Sequence, residues 1–92
     1  MNAVSSETGG EYTTLVRLEE MMRLGRWTEA NAYLRKLAPE QMSESEILMV
    51  LTITSYGKTR LVERPTFLAT SERVLVERLG DERASILLER RR

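Results

Sequence analysis

The chain has no histidine and no cysteine among its 92 residues. The first absence removes the side chain that most often serves as general base and transition-metal ligand, and the second removes disulfides and thiolate metal sites. Acid–base triads and most metalloenzyme chemistry fall with them. Aromatic residues are few, with one tryptophan, one phenylalanine and three tyrosines, so Trp27 stands out as a packing or recognition anchor. No apolar run approaches the roughly 18 residues of a membrane-spanning helix. The opening MNAVSSETGG has neither the basic start nor the apolar centre of a signal peptide. A cytoplasmic protein with no membrane partner is expected.

Charge of a single sign is lacking too. Fourteen basic and fourteen acidic residues cancel, which gives no general attraction to nucleic acid or anionic lipid. The balance is uneven along the chain: residues 1–57 hold five basic and eight acidic residues (5 − 8 = −3), and residues 58–92 hold nine and six (9 − 6 = +3). Length adds a further limit. A domain of 92 residues buries only about 60 to 65% of its unfolded surface, so its core is modest and contact with a partner can add to its stability.

Residues 1–10 are small and polar with paired glycines, a composition expected to form a flexible N-terminal arm. Residues 11–92 are expected to form a single helical domain. Leu15, Leu18, Met21, Met22 and Tyr12 recur at helical steps until Gly25. Thr28 is the expected N-cap of a second helix with Ala30, Tyr33, Leu34, Leu37 and Ala38 on one face, and Pro39 ends it. Ser43 and Glu46 have the spacing of a capping box ahead of ILMVLTI. That segment, Ile47 to Tyr56, is apolar nearly all round and predicts a central, buried helix. Its β-branched residues also allow a rival β-hairpin over residues 47–70. Gly57 reads as a helix cap, and KTRLVER as a turn packing Leu61 and Val62. Pro65 opens a fourth helix carrying Leu68, Ser71 or Glu72, Leu75 and Leu79 on one side with Phe67 and Val74 beside them; Gly80 caps it, and Asp81 is the expected N-cap of a fifth. The fold class is therefore all-α, a small compact bundle of four or five helices after the arm.

Gly25, Trp27, Ala30 and Leu34 resemble the hairpin joint of the tetratricopeptide repeat. The resemblance covers about twenty residues, and no second copy of the 34-residue period follows. Leu18 stands where that repeat wants a small residue, and Pro39 falls too early, so the stretch reads as a general helical hairpin. SYGKT lacks the first glycine of a phosphate loop, which would fall at Thr52. The pairs Glu19–Glu20 and Asp81–Glu82 diverge by about 100° on a helix and do not make a general acid–base pair.

These exclusions leave a non-enzymatic protein-interaction module as the expected function: an adaptor, inhibitor or regulatory subunit, with no cofactor and no metal. The partner-binding residues expected are Arg83, Arg90 and Arg91, whose guanidinium forks suit an acidic protein surface, together with Trp27 and Met22. Trp27 is expected to be mostly buried between the first two helices and the rest, and a second copy of the chain is a further possible partner. The alternative is a DNA-binding transcriptional regulator using Thr66, Thr70, Ser71, Arg73 and Arg78 with Arg60 and Arg64, although Glu63, Glu72 and Glu77 are interleaved.

Overall fold

Leucine and methionine at three- and four-residue steps wind the first segment into α1, Gly10–Arg23, which turns Leu18 fully into the core with Met21 and Met22 packed beside it. The structure is a computed structural model that describes residues 10–90, with side chains from Thr14 onward. The expected arm therefore lies outside the described residues except for Gly10, which already belongs to α1, and so does the side chain of Tyr12. Gly25 ends the helix in the left-handed region at φ 75°. The Gly25 N–H donates to Met22 O (3.1 Å) and the Arg26 N–H to Met21 O (2.8 Å), the paired bonds of a Schellman turn.

That turn sets the start of α2, Trp27–Lys36. Its N-cap is Arg26, with no side-chain capping bond, and Thr28 is an exposed residue of the first turn instead of the expected cap. The Schellman geometry leaves one residue between Gly25 and the first helical residue, so the helix begins before Thr28 can take the capping place. Ala30 and Leu34 are buried. The helix stops at Lys36, earlier than expected, because Leu37 and Ala38 are both extended ahead of Pro39. A 3-10 turn, Pro39–Gln41, leads to Ser43.

Ser43 caps α3, Glu44–Thr54, its Oγ accepting from the Glu46 N–H at 3.1 Å. Ile47, Val50 and Leu51 lose nearly all exposure there, each contributing about 1.5 to 3 kcal/mol by burial. Helix, not hairpin, is the observed state of this segment, and no strand occurs among the described residues. Thr54 is buried too, but its hydroxyl bonds back to Val50 O at 2.8 Å, which lets a polar side chain sit in the core. Tyr56 does not belong to this core. It lies past the end of the helix and is 83% exposed.

The connector from residue 55 to 63 buries Leu61 and leaves Val62 out, against the expectation for Val62. Then α4, Arg64–Leu79, places Phe67, Ser71, Val74 and Leu75 inward, so that of Ser71 and Glu72, either of which the sequence allows on the inner face, Ser71 is the one buried. It packs against α2, the 3-10 turn, α3 and, most extensively, the last helix, α5, Asp81–Arg90. Gly80, at φ 91°, both caps α4 and supplies the carbonyl that accepts the first bond of α5 from the Ala84 N–H. Asp81 is thus the first helical residue, one position later than an N-cap. Arg78 ties α4 to the 3-10 turn by donating to the carbonyls of Glu40 (2.7 Å) and Met42 (2.6 Å) and to Glu44 at 3.3 Å.

Candidate functional site

The hairpin joint holds Trp27 at the first position of α2, where its ring reaches across to the connector after α3. The contact is close. A Cβ built on Gly57 would stand 2.7 Å from two outer atoms of the indole ring and 3.5 Å from the Met22 methyl. Gly57 is therefore needed for room, not as the helix cap expected: α3 has already ended at Thr54, and the φ of Gly57 is not positive. The Arg60 guanidinium lies 5.6 Å from the ring centroid, within reach of a cation–π contact. Trp27 packs against the core from the joint at its edge, mostly covered as expected, with part of the ring left open to solvent.

Asn31 keeps the connector in place. It follows Trp27 by one turn, and its side-chain amide donates to Trp27 O (2.8 Å) and to Arg60 O (3.0 Å), while its carbonyl oxygen accepts from the Glu63 N–H (3.0 Å). One residue thereby satisfies three backbone groups and joins α2 to the segment that carries Gly57 and Arg60. Arg35 adds a second tie to that connector through Glu63 at 3.2 Å.

Around the indole opens a groove of about 590 Å³ between α1 and the end of α3. Met22, Trp27 and Ile53 supply its apolar surface, with Val16 and Tyr56 exposed at the margins. Glu19, Glu20 and Arg23 complete the α1 side, and among the described residues none of the three has an ion-pair partner. Adjacent in sequence, Glu19 and Glu20 both border this groove because it is wide enough to span the angle between them. Among the lining residues only Arg23 opposes them, so the lining is net acidic, with the Arg60 guanidinium on the Trp27 ring beside it.

A second surface lies on α5. Ala84 and Leu88 face the core, which leaves Arg83, Ile86, Leu87 and Arg90 as a stripe at the i, i+3, i+4, i+7 spacing around a notch of about 180 Å³. Ile86 is 49% exposed there. The structure thus brings Trp27 and Met22 together, and separately groups Arg83 with Arg90; Arg91 lies outside the described residues. Val16, Tyr56, Gly57 and Asn31 were not legible as site residues, since each acquires its role from a contact across elements. The signal available was the apolar side chain off the helical pattern, Val16 beside the Leu15–Leu18 face, whereas Tyr56 reads as the end of an apolar run.

Several side chains offered for DNA are committed elsewhere. Ser71 is fully buried, Arg73 pairs with Glu40 at 3.2 Å and Glu77 at 3.8 Å, and Arg78 is spent on the carbonyls of the 3-10 turn. Among the described residues no three acidic side chains gather as a metal site, and no helix is long and apolar enough to cross a membrane. No family model, curated protein or solved structure matches the chain.

Proposed function

We propose that this protein is a non-enzymatic interaction module, an adaptor, inhibitor or regulatory subunit, that receives an apolar segment of a partner protein in the groove between α1 and the end of α3. The observation that carries this reading is the composition of one concave surface: a mostly covered tryptophan seated on a glycine, a methionine beside it, and a tyrosine that is 83% exposed. Tryptophan and tyrosine are the residue types that anchor interfaces most often, and methionine adapts its shape to what it meets. The acidic rim favours a partner segment with basic residues flanking its apolar ones. The arginine stripe of α5 is the second contact surface, suited to carboxylates. Against the DNA-binding alternative stand the carbonyl bonds of Arg78 and the surface ion pairs of Arg73, which compete with contacts to phosphate.

A photo-reactive residue placed at Tyr56 in the source cells tests the reading, with one at Glu77, exposed on α4, as the control. A protein cross-linked from position 56, not from 77, and lost when Val16→Asp is added is the expected result. Equal labelling from both positions, or none from position 56, would refute it.

A further inference from the structure

The groove and the α5 stripe are complementary to each other. One has an apolar floor of Met22, Trp27 and Ile53 beneath a rim with Glu19 and Glu20; the other has Ile86 and Leu87 between Arg83 and Arg90. Both remain open in the folded chain, as the exposure of Tyr56 (83%) and Ile86 (49%) shows. We infer that the occupant of the groove is the α5 stripe of a second copy of this chain, an inference that rests on the groove being a protein-binding surface as proposed above.

Geometry and charge both support this occupant. Residues seven apart on a helix are separated by about 10 Å along the axis, so the two arginines bracket one apolar step and their long stems lean inward to the acidic pair. The helical run Val16, Glu19, Glu20 and Arg23 on the groove side has the same i, i+3, i+4, i+7 spacing as the stripe, which suits packing of one helix along another. The notch among Arg83, Ile86, Leu87 and Arg90 in turn offers room for a protruding ring such as that of Tyr56. The opposite charges of the two halves of the chain, −3 over residues 1–57 and +3 over 58–92, orient the encounter in the same sense. Two groove-free acidic residues, Glu19 and Glu20, meet two stripe arginines without partners among the described residues, so each pair formed is new. The contact joins unlike surfaces, and it closes into a ring or a two-fold pair or extends as a chain according to the rotation between copies.

Arg23 on the lining and Arg60 beside the Trp27 ring oppose this pairing, which gives the charge rule a second edge: Arg23→Glu should tighten association, and Glu20→Arg should weaken it. The deciding experiment is sedimentation equilibrium of the full chain from micromolar to millimolar concentration. The wild-type mass should rise with concentration, and Tyr56→Asp and Ile86→Asp should each lower the association constant by roughly tenfold or more, the scale of an interface hot spot. Mixing the two variants should restore association, because one keeps an intact stripe and the other an intact groove. A charge-swapped pair, Glu19→Arg with Glu20→Arg in one chain and Arg83→Glu with Arg90→Glu in the other, repeats the test without touching apolar residues. A wild-type chain that stays monomeric throughout, an Ile86→Asp chain that associates like wild type, or mixtures that stay monomeric would each overturn the inference. Failure here with specific cross-linking of another protein from position 56 leaves the interaction module standing and removes only the self-docking.

Discussion

Replacing Gly57 by alanine introduces one methyl group against the outer ring of Trp27, and the structure gives the size of the conflict. The new Cβ would lie 2.7 Å from two ring atoms, where ordinary contact begins near 3.4 Å, so either the indole or the connector must move by the better part of an ångström. The indole is rigid and the Met22 methyl already lies 3.5 Å from the new Cβ, and the connector is held by the Asn31 bonds to Arg60 and Glu63. Overpacking of this kind costs about 1 to 3 kcal/mol. Against it stands the gain of about 0.4 to 1 kcal/mol from removing a glycine whose φ an alanine can adopt. The steric conflict wins, with a net loss of about 1 to 2 kcal/mol and a fall in Tm of roughly 4 to 16 °C for a domain of this size.

Thermal unfolding followed by far-ultraviolet circular dichroism measures it, and a double-mutant cycle locates it. The colliding atoms belong to the outer ring of the indole, which phenylalanine lacks. Gly57→Ala should therefore cost much less in a Trp27→Phe background than in the wild type. Gly25→Ala supplies the contrast. There the added Cβ meets nothing within 4 Å and the cost comes from φ 75°, so Trp27→Phe should give no relief. A Gly57→Ala protein as stable as the wild type, or strictly additive effects in the cycle, would refute the seating of Trp27 on Gly57.

Three further outcomes follow from named contacts. Asn31→Ala should cost about 0.5 to 1.5 kcal/mol through the lost bonds to the Arg60 carbonyl and the part-buried Glu63 N–H, and should shift Trp27 fluorescence to the red as the connector loosens. Ser71→Ala should raise stability by roughly 0.5 to 1.5 kcal/mol, because the fully buried hydroxyl has no hydrogen-bond partner among the described residues and alanine is the better helix former; denaturant unfolding checks it. Glu44 is held below its ordinary pKa of 4.5, first by a hydrogen bond from its own backbone N–H at the start of α3 and then by Arg78. Its contribution is therefore complete above pH 4.5 and is lost as pH falls through the lowered folded value, so the stability gap between wild type and Glu44→Gln should close in acid, as melting temperatures across that range would show.

Much of the helical plan was readable along the chain because its causes are local. Gly25 and Gly80 end helices through their own backbone freedom, Pro39 acts on the residue before it, and the Ser43 cap spans three residues, so each works without knowledge of the fold. The absence of histidine and cysteine likewise restricts chemistry in any conformation. Helix starts were harder. Thr28 and Asp81 have capping side chains, yet α2 begins at Trp27 and α5 at Asp81 itself, since the preceding glycine turns placed the first helical residue. The groove depended on tertiary structure, because its members come from α1, the joint, the end of α3 and the connector. Gly57 is near Trp27 only after the joint and the connector past α3 have packed together, and Asn31, a polar residue off the apolar face of its helix, becomes the clamp only when residues 60–63 lie beside it. Periodicity reports which face of one helix is apolar; whether an apolar side chain is covered, as Leu61 is, or left open, as Tyr56 and Val62 are, is decided by which neighbouring element reaches it.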